Sequence, residues 1–227
     1  MPNLSVIIVA GGSGTRMGTT VPKQFLLLDG KPVLQHTIER FLEAYADIDM
    51  VVVLAEQDIP TLPSIIPPQL LDRIRVTRGG VTRFDSVKNG LALVDEDRLV
   101  FVHDAARCLV TTSLIHRCYT AALSTGNAIP AIAATDTIRI VSAEGSATLN
   151  RESLRIIQTP QTFFASTLKK ALSQPYQPGF TDEASAVEHL GESITLVEGE
   201  TENIKITHPA DMLLAETILQ QRKSTGQ

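Results

Sequence analysis

The apolar run Val6–Ala10 breaks into Gly11-Gly12-Ser13-Gly14, and two cations follow it, Arg16 and, directly after Pro22, Lys23. Glycines carry no Cβ, so such a turn can bring several backbone N–H groups up to one anion. Arg16 and Lys23 add fixed positive charge where a nucleoside triphosphate would lie. The spacing is not the G-x-x-x-x-G-K-[ST] of a P-loop, and the early Arg16 and Pro22 argue against a dinucleotide-binding Gly-x-Gly. A plain strand and loop accounts for the glycines alone; it does not account for Arg16 together with Pro22-Lys23-Gln24.

Three further stretches could serve the same chemistry. Gly79-Gly80-Val81-Thr82-Arg83-Phe84-Asp85-Ser86 puts a second glycine pair between a strand and a helix. Its amides could face a nucleobase or ribose, with Ser86 as an added donor, and the same residues also suit an ordinary turn capped by Asp85. Val100-Phe101-Val102-His103-Asp104-Ala105-Ala106-Arg107 ends an apolar strand on a carboxylate. Open α/β sheets bind ligands at such carboxyl ends, so Asp104 could hold a Mg²⁺ bridging phosphates, or merely cap the turn and pair with Arg107. Glu202–Thr207 reads as a short strand bearing Lys205 among apolar residues, either a functional cation or a solvated edge lysine. Thr181-Asp182-Glu183-Ala184-Ser185 reads as a helix start with acids in its first turn, a structural pattern. His36 and His189 lie on expected helices without partners, and no Ser/His/Asp or Cys/His arrangement supports nucleophilic catalysis.

The elements that would hold these residues alternate. Strand-like runs at Ser5–Ala10, Met50–Ala55, Arg73–Thr77, Arg98–His103 and Asn127–Ala133 are separated by helical spacing at Val33–Ala44, Asp85–Val94 and Thr112–Leu123. Further helices are expected at Ala165–Ser173, Glu183–Leu190 and Ala210–Gln220. This rhythm predicts an α/β fold, a Rossmann-like, mostly parallel sheet flanked by helices. Thr137–Gln158 departs from it and reads as two strands around a Gly-containing turn at Gly145. An isolated hairpin is marginal in water, so this segment should be an arm that packs on something else, most simply a second copy of the chain. Residues 1–136 and 159–227 then form the core, and 137–158 the arm.

At 227 residues, 43% hydrophobic and 20% charged, the chain suits one sizeable α/β core. The net charge of −5 argues against general nucleic-acid binding. No apolar run is long enough to span a membrane and no basic region precedes the first apolar stretch, so we read a cytoplasmic protein. Cys108 and Cys118 have no partners at zinc spacing, and reduced thiols are expected.

The opening A-G-G-x-G-T-R-M…P-K at Ala10–Lys23 resembles that of the sugar-nucleotide and polyol-phosphate nucleotidyltransferases. Taken in order with G-G-x-x-R-x-x-S at Gly79–Ser86, H-D-A-A-R at His103–Arg107, T-P-Q-x-F at Thr159–Phe163, T-D-E-A-S at Thr181–Ser185 and N-I-K-I-T at Asn203–Thr207, it resembles the 2-C-methyl-D-erythritol 4-phosphate cytidylyltransferases of the non-mevalonate isoprenoid pathway. The resemblance covers essentially the whole chain. It implies that CTP and methylerythritol phosphate give the CDP-alcohol and pyrophosphate, with Mg²⁺. By position, Arg16 and Lys23 would stabilise charge on the α-phosphate, and Lys205 would help hold the phosphates. Ala10, Gly11, Gly12, Gly14, Gly80, Ser86 and Asp104 fall where CTP and the metal are held; Thr137, Arg151, Arg107 and Thr159 match positions that handle methylerythritol phosphate. The resemblance also implies a homodimer in which the arm delivers Thr137 and Arg151 to the neighbouring site.

This chain departs from the pattern at three positions. Val81 stands where many relatives carry an acid, Cys108 replaces a usual proline and His208 a common Arg. The nearest rival reading is a ribitol 5-phosphate cytidylyltransferase, whose relatives tend to show H-D-A-V-R and T-D-A in place of Ala106 and the T-D-E-A-S block.

Overall fold

The computed structural model describes residues 3–12, 17–19 and 21–225. Arg16 and Gly14, both expected at the nucleotide site, lie outside the described residues. Among these residues, the strands are β1 (Leu4–Ala10), β2 (Leu27–Leu28), β3 (Lys31–Pro32), β4 (Asp49–Leu54), β5 (Ile74–Arg78), β6 (Leu99–Asp104), β7 (Asn127–Ala133), β8 (Arg139–Ser142), β9 (Gly145–Thr148), β10 (Arg155–Ile157), β11 (Gln161–Phe164) and β12 (Leu196–Glu198). The helices are α1 (Val33–Ala44), α2 (Leu62–Ile65), α3 (Pro68–Leu71), α4 (Arg83–Leu91), α5 (Thr112–Thr125), α6 (Ala165–Leu172), α7 (Glu183–Glu188) and α8 (Pro209–Thr225).

The main sheet runs β10-β7-β11-β6-β1-β4-β5, with β12 added to β7. Strands β5, β4, β1 and β6 are mutually parallel, while β11 inserts antiparallel between β6 and β7. Alternation in the central strands shows why this sheet is buried on both faces. Val6 and Ile8 of β1, Met50 and Val52 of β4 and Phe101 of β6 face α1 and α5, while Ile7, Val51, Val53, Val100 and Val102 face α4, α6 and α7. Near-continuous apolar strands are what a sheet covered on both sides requires. A third cluster joins Leu28, Val33 and Leu109 to Ala215 and Ile218 of α8.

From β1 the chain moves outward to β4 and β5 and then returns to place β6 on the other side of β1. The reversal leaves a crevice beyond the carboxyl ends of β1 and β6, the place where open α/β sheets take ligands. Ala10-Gly11-Gly12 and Asp104 leave the sheet there.

Three local details differ from the sequence reading. α4 is capped by Thr82, whose hydroxyl accepts from the Asp85 N–H, while Asp85 reaches back as the other half of a capping box. The earlier start satisfies two orphan donors at once, where an Asp85 cap would satisfy one. Glu202–Thr207 is not a strand: the Ile206 N–H donates to Ala106 O at 2.8 Å, without a ladder of further bonds. Within 137–158 only β8 and β9 form a hairpin, fully exposed and turning at Gly145 (φ 135°), whereas β10 returns to pair with β7.

Both cysteines are buried, and burial pushes each thiol up to about 12. The thiolate is the reactive form. Neither should react with a disulfide reagent at pH 8 in the native protein, and both should after denaturation; fast labelling of the folded chain would contradict this packing.

Candidate active site

Beyond β1 and β6 lies a cleft of about 470 Å³ with three walls. Ala10, Gly11 and Gly12 form the first, the Gly80–Ser86 turn the second, and Lys23 with Lys205 the third, while Asp104 lies at the base among them. A Cβ added to Gly12 would meet no atom of the described residues within 4 Å, so the described walls leave room for a ligand beside it.

The two lysines converge through one short segment. Lys23 leaves a 3-10 turn, Lys23–Phe25, and its Nζ donates to Ile206 O at 3.0 Å. Lys205, the preceding residue of that segment, places its Nζ 2.8 Å from Asp104 Oδ2. Lys205 is therefore a cleft cation and not a solvated edge lysine. Its side chain is 40% exposed, so it can swing between Asp104 and an entering phosphate.

Asp104 is 7% exposed. Burial alone would raise its carboxyl, but Arg83, Lys205 and Arg107 overturn that and hold it well below the usual carboxylate range. Arg83 Nε donates to Asp104 Oδ1 at 3.2 Å, and Arg107 Nε stands 3.8 Å from Oδ2. The second hydrogen-bonding group on Arg83, Nη1, donates to Glu183 Oε1 at 2.5 Å. Burial raises Glu183, opposed by Arg83. Breaking one partner of a buried pair of this kind costs roughly 3–5 kcal/mol, because it strands the other charge.

The second glycine turn is held from within. The Gly80 N–H donates to Ser86 Oγ at 3.0 Å, and the Ser86 hydroxyl donates to Thr82 O at 2.9 Å. Ser86, expected as a nucleotide donor, lines the cleft with its proton already committed to the turn. A Cβ on Gly80 would come within 2.2 Å of the Asp85 Cβ and 3.0 Å of its carbonyl carbon. Gly80→Ala must therefore push the turn off the capping box; calorimetry should show CTP binding weakened by about tenfold or more, the scale of a displaced binding group. Unchanged affinity would separate this turn from the ligand.

Four expected substrate residues do not line the cleft of their own chain. Thr159 is buried; its Oγ1 accepts from the Asp104 N–H at 3.1 Å and its hydroxyl donates to His103 Nδ1 at 3.0 Å. His103 Nε2 lies 3.1 Å from Arg107 O and donates to it, which fits a neutral imidazole: burial lowers His103 to about 4. Arg107 spends Nη1 on Asn203 O at 2.8 Å and Nη2 on Ile157 O at 3.3 Å, tying the base of the arm to the Lys205 segment. Thr137 and Arg151 lie exposed on the arm, where Arg151 Nη1 donates to Thr135 O at 3.3 Å. Arg83, Glu183 and Asn203 carry structural weight here that residue type alone did not assign. Each had a signal, Arg83 in the G-G-x-x-R motif, Glu183 in T-D-E-A-S and Asn203 in N-I-K-I-T, but the motifs did not announce the buried contacts through which the three act.

Among the described residues no group of three His, Cys, Asp or Glu could hold a metal ion by itself. Mg²⁺ is commonly held by one or two carboxylates, waters and substrate phosphates. Asp104 fits that partial role, once Lys205 yields its Oδ2 oxygen.

A catalytic cleft at this switch point could belong to many nucleotide enzymes. Residues 4–221 match the model of the family described as 2-C-methyl-D-erythritol 4-phosphate cytidylyltransferase. The chain belongs to this family. The cytidylyltransferase of that name from Bacteroides thetaiotaomicron is 44% identical over 216 residues, covering 95% of this chain and 99% of the relative. The one from Syntrophus aciditrophicus is 38% identical and covers 98% of both. Among solved structures, the cytidylyltransferase of Francisella tularensis superposes with a TM-score of 0.79 at 35% identity, over 95% of this chain and 99% of that one. The 4-diphosphocytidyl-2C-methyl-D-erythritol synthase of Anaerococcus prevotii gives 0.80 at 27% identity, over 96% and 99%. The mixed sheet is thus the cytidylyltransferase fold, and no helix among the described residues is long and apolar enough to cross a membrane.

Proposed function

We propose that this protein transfers the cytidylyl group of CTP to the phosphate of 2-C-methyl-D-erythritol 4-phosphate, giving 4-diphosphocytidyl-2-C-methyl-D-erythritol and pyrophosphate. The observation that carries this is the convergence of Gly11-Gly12, Lys23, Asp104 and Lys205 on one cleft in a chain of this family. A phosphate oxygen of the alcohol attacks the α-phosphorus of CTP, the bond to the β-phosphate oxygen breaks, and the electron pair leaves with pyrophosphate. The attacking oxygen is already ionised, so no general base is needed. Catalysis rests on holding the two phosphates in line and on meeting the charge that grows in the pentavalent transition state. Lys23 meets that negative charge with its ammonium from the wall beside Ile206, and Arg16 is assigned the same task. Lys205 leaves Asp104 for the incoming phosphates. Asp104 would help to hold a Mg²⁺, which would supply positive charge to the triphosphate.

The methylerythritol phosphate end is assigned to Arg151 and Thr137 of a second copy. Among the described residues β8 and β9 pair only with each other, and they leave Ile140 and Val141 exposed, which favours an arm that closes over a neighbour in a homodimer. A cytoplasmic location for the reaction is part of this proposal.

Val81 is fully exposed at the cleft and offers no carboxylate. The base must then be read by main-chain groups around Gly80, and kcat/KM should still favour CTP over UTP. Equal values would contradict that reading. The substrate assignment is tested by steady-state pyrophosphate release with CTP and either alcohol phosphate: methylerythritol phosphate is expected to be turned over and ribitol 5-phosphate poorly or not at all. The reverse preference would overturn it.

A further inference from the structure

Arg83, on the first turn of α4, bridges two carboxylates from distant parts of the chain. Nη1 donates to Glu183 Oε1 at 2.5 Å and Nε to Asp104 Oδ1 at 3.2 Å. Glu183 is 2% exposed and does not line the cleft. It does not cap α7 either, since Asp182 and Ser185 form that capping box. Its Oε2 is buried without a hydrogen-bond partner among the described residues, a costly arrangement for a purely structural acid. Lys205 occupies the other oxygen of Asp104. Glu183, Arg83, Asp104 and Lys205 thus alternate in sign, with Glu183 in the interior and the other three lining the cleft.

We infer that Arg83 and Glu183 are positioning residues for the cytidylyl transfer: Glu183 clamps Arg83, and Arg83 holds one oxygen of Asp104 so that the other is turned toward Lys205 and the nucleotide. The inference rests on the reading above that Asp104 serves CTP. The final torsion of an Asp side chain is broad and soft, so a bond to one oxygen is what fixes the plane of the carboxylate. A planar guanidinium holds two carboxylates at a fixed mutual geometry, which the rotatable donors of an ammonium do not impose.

The test measures Mg²⁺-dependent CTP binding by calorimetry, together with the thermal unfolding midpoint. Second-layer partners of this kind are worth roughly 10- to 100-fold, and Glu183→Gln is expected to weaken CTP binding within that range. In the double variant Arg83→Gln/Glu183→Gln no buried charge is left unpaired. Its unfolding midpoint should return toward the wild-type value while CTP binding stays weak. If Glu183→Gln does not fold, this charge-balanced variant compared with the wild type carries the same test. In an Asp104→Asn background, Glu183→Gln should cost less than about twofold, because the coupling runs through Asp104. A double variant that regains CTP affinity along with stability would reduce the pair to a structural role. A full tenfold loss in the Asp104→Asn background would show that Glu183 does not act through Asp104. A wild-type protein that binds no CTP would overturn the nucleotide reading itself, and this inference with it.

Discussion

Lys23→Ala is expected to lower kcat by about 10²-fold or more, the usual loss when a preorganised group facing transition-state charge is removed. The fold should survive. Lys23 stands on a short 3-10 turn at the cleft wall, and its Nζ donates to a main-chain carbonyl, Ile206 O, outside the three hydrophobic clusters. Lys23→Arg should fail as well, because a wide planar fork does not replace a compact charge at that distance from Ile206. Arg16→Ala is expected to behave alike. A Lys23→Ala protein that keeps more than about a tenth of the wild-type kcat at saturating substrates would remove this lysine from the chemistry.

Mixing of inactive variants should restore turnover. In the proposed homodimer, Arg151→Ala removes the cation assigned to the alcohol phosphate and Lys23→Ala the one assigned to the α-phosphate. A heterodimer of the two would then hold one site built from an intact core on one chain and an intact arm on the other. The geometry behind this is the separation within one chain: Arg151 lies exposed beyond the hairpin, bonded to Thr135 O, and does not line the cleft that holds Lys23 and Lys205. Activity of a mixture shown to have exchanged subunits should therefore rise well above that of both parents. Mixtures as inactive as their parents would mean that Arg151 acts within its own chain or not at all.

The parallel half of the fold was legible because its signals are local. β1, β4 and β6 are buried on both faces, so they appear as unbroken apolar runs, and α1 presents Leu34, Ile38 and Phe41 at helical spacing. β11 and β12 were not legible. They are four and three residues long, and β11 is defined by antiparallel insertion between β6 and β7, a non-local pairing that leaves no periodic trace. The site divides in the same way. Gly11, Gly12, Gly80 and Asp104 sit at strand ends, where glycine pairs and a terminal carboxylate are visible in the chain. The ion pairs that set their charge are long-range: Arg83 and Glu183 are 100 positions apart, and Lys205 meets Asp104 only because Ile206 docks on Ala106. Arg107 shows the converse. Its type and place match a substrate cation, yet burial and two main-chain acceptors commit it to holding the arm base against the Lys205 segment.

The reaction can be watched directly by ³¹P NMR of the protein with CTP, 2-C-methyl-D-erythritol 4-phosphate and Mg²⁺. The monoester and triphosphate resonances should fall together while the coupled pair of a CDP-alcohol and the singlet of pyrophosphate rise in equal amounts. CTP left intact, or converted to CMP without consumption of the monoester, would contradict cytidylyl transfer to this alcohol phosphate.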